Sequence, residues 1–330
     1  MIRVSSRRVG IAVLVAMALM IAAAPFLASN DVARQFDDFA YAPPMRPRVI
    51  DANGDWHAPF VYPLRLVNRL ERQYAEDRST RIPLRWFESG TLVSADDRLG
   101  PWLPLGADAL GRDVFARVIR GARYSLGVAV VAVLGALVIG AMVGSIAGVA
   151  GGRVDEVLMR LADFVLVLPA IYVVLSLRAS MPLVLSAAEV FWSVAAILAL
   201  AGWPYPARGV RAIVAAESRK EYAEAAKAAG ARPLRILLHH LLPATRGFLA
   251  TQATLLLPSF VIAEATLSFV GLGFAEPLPS WGVMLQDAGR VTVLAEAPWL
   301  LAPAAAIVVT IFAVHLAADS SASGHRTIPT

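Results

Sequence analysis

Six stretches of the chain are apolar for long enough to cross a bilayer, since a spanning helix needs about 20 residues for roughly 30 Å of hydrocarbon. They run at 10–28, 124–150, about 158–177, about 183–205, about 247–272 and about 297–318. The second holds no charge, the third has Asp163 near its start, and Glu189 interrupts the fourth. The pattern predicts an all-α polytopic membrane protein with six transmembrane helices. Arg3, Arg7 and Arg8 ahead of the first apolar run also fit a secretory signal peptide, although that run is long for one and five more segments follow. Gly140, Gly144 and Gly148 fall on one helix face at intervals of four, where small residues let helix backbones approach closely. In-chain packing and a subunit interface both fit that spacing.

Short connecting segments orient such a chain by their arginine and lysine content. Three arginines precede the first span, and eight basic residues lie in the 206–246 loop against Glu217, Glu221 and Glu224. With six spans both segments share one side, which predicts cytoplasmic termini. The chain then divides into residues 1–29 (amino terminus and first span), an extracytoplasmic segment at 30–123, a core at 124–318 with the cytoplasmic loop 206–246, and a tail at 319–330. The 30–123 segment holds 14 arginines and 13 acids, too long a stretch for the charge rule to count. Within it, PLRLVNRLERQYAEDR (63–78) reads as an amphipathic helix.

Composition agrees with a bilayer setting. Hydrophobic residues make up 58% and charged ones 17% of the 330 residues, against about 45–50% and about 25% in soluble chains. The net charge of +5 is small and dispersed, which gives no argument for nucleic acid. There is no cysteine, so thiol catalysis, disulfides and thiolate metal sites are excluded. The five histidines form no metal-ligand cluster (His315, four residues before Asp319, stands alone), no nucleophile motif occurs, and neither Lys220 nor Lys227 sits in a phosphate-binding G-x-x-x-x-G-K-[ST] pattern. No catalytic or metal site is expected.

The 206–246 loop is unusual for a connector. Its middle, ESRKEYAEAAKAAGARPLRILLHHLLP (217–243), is rich in good helix formers. Glu217 to Lys227 reads as a helix with Tyr222, Ala225, Ala226 and Ala229 near one face. Gly230 stands where a helix end favours positive φ, and Pro233 suits the first turn of a second helix. A helix–turn–helix held at the membrane face follows; a helix lying in the headgroup layer would show the same residues.

Glu224-Ala225-Ala226, then Gly230, then Leu242-Pro243 resembles the EAA loop of ABC-importer permeases, with His240 in the usual isoleucine place. LGADALGRDVFARVIRGARYSL (105–126) and LSFVGLGFAEPLPSWGVML (267–285) resemble the entry motif and the post-span motif of the oligopeptide/dipeptide/nickel branch. The resemblance covers about 105–318. Residues 30–104 lie outside it, and the tail lacks the branch's G-D-x-L-R-D ending. It implies the type I ABC-importer permease architecture with an added extracytoplasmic segment between the first two helices. It also implies a role as half of a pathway for peptides or a related solute in the cytoplasmic membrane. Its partners would be a second homologous permease, one or two ATP-binding subunits carrying ATP and magnesium, and an extracytoplasmic solute-binding protein. The EAA residues Glu224, Ala225, Ala226, Gly230, Leu242 and Pro243 would couple to the ATPase, and no cofactor would bind this chain.

A secondary transporter driven by an ion gradient is the alternative, for which inverted repeats would be expected; the sequence has no visible repeat. A membrane enzyme is a third class, without a catalytic constellation here. Glu264, deep in the fifth span, is a candidate for the translocation pathway or for a neighbouring helix. Asp163 is expected to pair with Arg160, one turn away, and His315 to lie at the interface. Glu224 has two candidate partners, Lys227 in its own helix or a basic residue of an ATPase groove.

Overall fold

The computed structural model describes residues 2–318 apart from positions 70, 89, 97, 169–171, 174–175, 177–179, 181 and 183–184, with backbone alone at 2–5 and 292. Helix α1 covers Ile2–Ala22, α2 Val114–Ala150, α3 Gly152–Val167, α4 Ala187–Gly202 and α5 Pro204–Glu217. The loop helices are α6 (Glu221–Ala228) and α7 (Pro233–Ile236), and α8 (Arg246–Phe269), α9 (Trp281–Ala288) and α10 (Ala302–Ala318) follow. Two compact units divide these elements, one of residues 1–7, 126–264 and 314–330, the other of 8–125 and 265–313.

In the first unit, the glycine face of α2 packs on α5. A Cβ at Gly140 would stand 2.6 Å from Pro206 Cγ and 2.9 Å from the Trp203 carbonyl oxygen, and one at Gly148 would stand 2.9 Å from the Arg211 carbonyl oxygen. The glycines therefore serve contact within the chain. Helices α4 and α5 meet at a 46° bend, where Pro204 and Pro206 start the new helix, because proline suits a first turn and resists a helix interior. The chain thus stays helical to Glu217, and the 206–246 segment is a loop only in its later part. Helix α3 begins six residues before the predicted third span; the remainder of that span, with Pro169, lies largely outside the described residues, as does the 319–330 tail. Arg160 pairs with Glu156 at 2.5 Å, whereas Asp163 pairs with Arg208 of α5. The expected Asp163–Arg160 pair is thus replaced by one between α3 and α5. Asp155 accepts a further bond from Arg211 Nε at 2.8 Å.

The second unit contains the element that corrects the all-α expectation. Among the described residues six strands lie between 48 and 95, four of them in an antiparallel sheet of order β1 (Arg48–Ile50), β2 (Trp56–Val61), β5 (Ile82–Trp86), β6 (Val93–Ala95). Ala42, Met45, Val61, Ile82, Leu84, Val93, Leu103 and Ala107 form its core. The segment predicted as a helix at 63–78 is a hairpin of β3 (Leu64–Asn68) and β4 (Gln73–Glu76), with Leu64 opposite Glu76 and Leu66 opposite Tyr74. Leu64 and Leu66 are half-buried while Arg65 and Val67 point outward, a period of two that outweighs the helical reading. Asn68 and Arg72 (φ 51°) make the turn.

Among the described residues three helices are long and apolar enough to span a membrane: α2, α8 and Pro298–Ala318, the last made of α10 and its preceding 3-10 turn. Counting bent α4–α5 as one span makes four.

Candidate functional site

Helix α6 forms because seven of its eight residues, all but Tyr222, are strong helix formers, with Glu221 and Glu224 in the first turn and Lys227 in the last, matching the helix dipole. Its end is closed by the Ala231 N–H donating to the Ala226 carbonyl at 3.1 Å and the Gly230 N–H donating to Lys227 at 3.0 Å. That closure needs a left-handed residue, and Gly230 supplies it at φ 78°. The predicted helix over 217–227 is divided, because α5 ends at Glu217 and the chain is extended at Lys220 before α6 starts.

One side of α6 is seated and the other is open. Ala223 is fully buried in a cluster with Val210, Val214, Ile236 and Leu241, and Ala226 packs on that cluster half-buried. Tyr222, Glu224, Ala225, Ala229 and Gly230 are exposed. Tyr222 donates from its hydroxyl to Glu217 Oε2 at 2.5 Å, and that bond to a carboxylate pushes its pKa up to about 12. Lys227 Nζ donates to the Ser218 carbonyl oxygen at 3.3 Å, and among the described residues no ion pair joins it to Glu224. Of the two candidate partners of Glu224, Lys227 is thus not paired with it among the described ion pairs.

After Gly230, α7 runs into a π-helical turn over Leu237–Leu241 and then Leu242–Ala244. Proline at 243 has no N–H to give to the preceding turn, and its ring crowds that turn's carbonyl. A π-turn directly ahead of it, with the Leu242 N–H reaching the Leu237 carbonyl oxygen, widens the helix there. Leu242 and Pro243 are half-buried, and His240 is exposed with its ring 6.1 Å from that of Tyr222. Leu234 and Leu238 remain exposed on the same short arm. Glu264 in α8 is fully buried, so a place in a pathway would require the chain to open around it. His315 is exposed.

A second constellation, not foreseen from the sequence, lies in the other unit and joins the 105–126 and 267–285 segments. Arg112 donates through Nε to Asp108 Oδ2 at 2.7 Å and through Nη1 to Glu276 Oε2 at 2.5 Å. Arg117 donates through Nη2 to Glu276 Oε1 at 2.8 Å and lies 3.4 Å from Asp108. The Arg112 and Arg117 side chains are 5% and 1% exposed, and Glu276 is 42% exposed. Burial and the Asp108 charge raise the Asp287 carboxyl above the ordinary range. Around the cluster, the Trp281 N–H donates to Ser125 Oγ at 3.0 Å and its indole N–H to the Val118 carbonyl oxygen at 3.0 Å. The two motifs are thus halves of one folded structure; their signal in the sequence is an arginine pair and a lone glutamate more than 150 residues apart.

Asp51, Asp55 and His57 place ligand atoms within 4.8 Å of one another. Arg81 already donates to Asp51 Oδ2 at 3.0 Å and contacts the His57 ring, so a cation would have to displace a guanidinium. The group reads as a salt-bridged corner of the sheet.

A family model described as "Binding-protein-dependent transport system inner membrane component" matches residues 136–323. The chain is similar to the oligopeptide transport system permease protein OppC of Bacillus subtilis, 37% identical over 71% of this chain and 74% of that protein. It is similar to the dipeptide transport system permease protein DppC of the same organism, 40% identical over 65% of each. The nickel transport system permease protein NikC of Escherichia coli is 33% identical over 66% of this chain and 76% of its own length. Among solved structures, one of the inward-facing MetNI methionine ABC transporter is similar at 19% identity and TM-score 0.48, covering 62% of this chain and 94% of that one.

Proposed function

The chain belongs to the binding-protein-dependent transport system inner membrane component family, as an ABC permease of the oligopeptide/dipeptide/nickel type, and we propose that it is half of the translocation pathway of an importer for peptides or a related small solute. It pairs with a second homologous permease and receives solute from an extracytoplasmic binding protein. The bundle has six spans with both termini in the cytoplasm, and the β-sheet insert lies on the outer face. ATP and magnesium belong to the partner ATPase, since this sequence has no phosphate-binding loop of its own.

The observation that carries this reading is the two-sidedness of α6. Ala223 anchors it inside, while Tyr222, Ala225 and Ala229, at intervals of three and four, form an exposed face. Residues so spaced share one helix side, and two alanines there let another chain approach the backbone closely. That face is the seat for the ATP-binding subunit. Movement of the seated helix reaches the bundle through the Ala223, Val210, Val214, Ile236 and Leu241 contacts. Glu224, exposed beside Ala225, faces a basic residue of the partner, while Leu242 and Pro243 fix the arm's return to α8. Glu264 serves the pathway only in a conformation that uncovers it.

Ala225→Arg puts a long charged chain on the proposed contact, and Gly230→Val forces a β-branched residue to φ 78°. A Cβ at 230 meets nothing within 4 Å, so the second change acts through backbone strain alone. Both variants are expected to insert normally and to lose at least about tenfold in affinity for the ATP-binding subunit, about 1.4 kcal/mol. Co-purification of the subunits measures this, and undiminished recovery with both variants would remove α6 from the contact.

A further inference from the structure

In the unit of residues 8–125 and 265–313, a cavity of about 560 Å³ opens between the end of α1, the first turns of α2 and the segment ahead of α9. Arg120, Arg123 and Tyr124 line one side, and Ile21, Leu278 and Pro279 the apolar side. Its size is that of a small-molecule site. Arg120 Nε is buried and makes no hydrogen bond among the described residues, a costly state for a charged donor unless an acceptor arrives. No carboxylate among the described residues forms an ion pair with Arg120 or Arg123. Arg117, one helical turn back, and Arg112, just ahead of the helix, differ in that each is ion-paired with Asp108 and Glu276.

The position of the two open arginines along the chain indicates the ligand. Arg123 immediately precedes the uncharged 124–150 stretch, and Tyr124 begins it. An arginine and a tyrosine at the end of a spanning helix stand at the level of lipid headgroups. Ile21, in the last turn of α1, stands on the other wall. We propose that this cavity holds the phosphate of an anionic phospholipid, with Arg120 and Arg123 on the phosphate oxygens and the start of an acyl chain along Ile21 and Leu278. Arginine is suited to the first task by its planar fork of donors. The inference rests on the membrane placement of α1 and α2 and does not depend on the docking role of α6, whose test reads a different partner.

The experiment uses the full chain purified with its partner subunits in nanodiscs of phosphatidylcholine with a minority of phosphatidylglycerol of the same acyl chains. Native mass spectrometry counts the lipids retained. The wild-type protein is expected to retain phosphatidylglycerol in preference, and the Arg120→Gln/Arg123→Gln variant to lose that preference by roughly thirtyfold, on the scale of two basic side chains at an anionic surface. Ala33→Trp, at an exposed position on the cavity wall, narrows the site without touching a charge and is expected to release the lipid too. That variant decides the matter if the double variant fails to assemble. Equal retention by all three proteins overturns the proposal. So does displacement by glycerol phosphate as effective as by the intact lipid, which would make the site one for free anions. Displacement by a peptide with a free carboxyl end, but not by its amide, would assign the cavity to transported solute and equally overturn it.

Discussion

Glu276→Gln is expected to lower the stability of the chain by about 2–3 kcal/mol, less than the roughly 3–5 kcal/mol of breaking a fully buried ion pair because the Glu276 carboxylate is 42% exposed. The loss falls on Arg117, whose side chain is 1% exposed and whose Nη1 has no hydrogen-bond partner among the described residues. Without Glu276 its nearest carboxylate is Asp108 at 3.4 Å, already engaged by Arg112 at 2.7 Å. An almost bare guanidinium is then left in a buried position. Adding Arg117→Met to Glu276→Gln removes that charge and is expected to restore most of the loss, since an apolar side chain of similar volume costs little where an unpaired ion costs much. Thermal unfolding of the purified protein in detergent reads both steps. If the single change leaves the transition where it was, the cluster does not hold the 105–126 and 267–285 segments together.

The second large effect contrasts two identical substitutions. Gly144→Ala places a Cβ 2.9 Å from the Arg211 amide nitrogen and from Val210 Cβ. Backbone atoms there cannot move aside without separating α2 from α5, so a loss of about 1–3 kcal/mol is expected. Gly247→Ala, in α8, meets nothing within 4 Å and is expected to raise stability by about 0.4–1 kcal/mol by restricting the unfolded chain. Opposite shifts of the melting temperature distinguish a packed glycine face from a general preference for alanine in helices. Shifts of the same sign would leave the α2–α5 contact without its proposed basis.

Sequence periodicity revealed the apolar segments because a bilayer demands long uninterrupted runs, and α2, α8 and Pro298–Ala318 answer to them. Its boundaries were poorer where polar residues continue a helix. Helix α2 starts ten residues before the apolar run, its first turns held by Arg112, Arg117 and the Asp113 carboxylate, which accepts the Phe115 N–H at 2.9 Å. Gly230 was legible because only one conformation closes α6. The 63–78 hairpin was not: its strands are only five and four residues long, and Arg65, Arg69 and Arg72, spaced by four and three, imitate the polar face of an amphipathic helix. Asn68 was the available turn signal. The Arg112–Glu276–Arg117 cluster was also hidden, since charge pairing across 164 positions leaves no local pattern. Of the face read as Tyr222, Ala225, Ala226 and Ala229, three residues are exposed together, whereas Ala226 packs half-buried on the cluster of Ala223, Val210 and Val214, a division set by tertiary contact.

The central claim is that the Tyr222–Ala225–Ala229 face of α6 seats an ATP-binding subunit on the cytoplasmic side. The chain has no cysteine of its own, so single cysteines report without background. With Ala225→Cys in the assembled complex, a short reagent with a maleimide at one end and a photoreactive group at the other is expected to join this chain to the ATP-binding subunit on illumination. The same cysteine should react with an impermeant maleimide only after the membrane is permeabilised, whereas Ser79→Cys, beside the β3–β4 hairpin, should react from outside in intact cells and give no cross-link to that subunit. A cross-link from position 79 with none from 225, or labelling of 225 in sealed cells, would contradict the account.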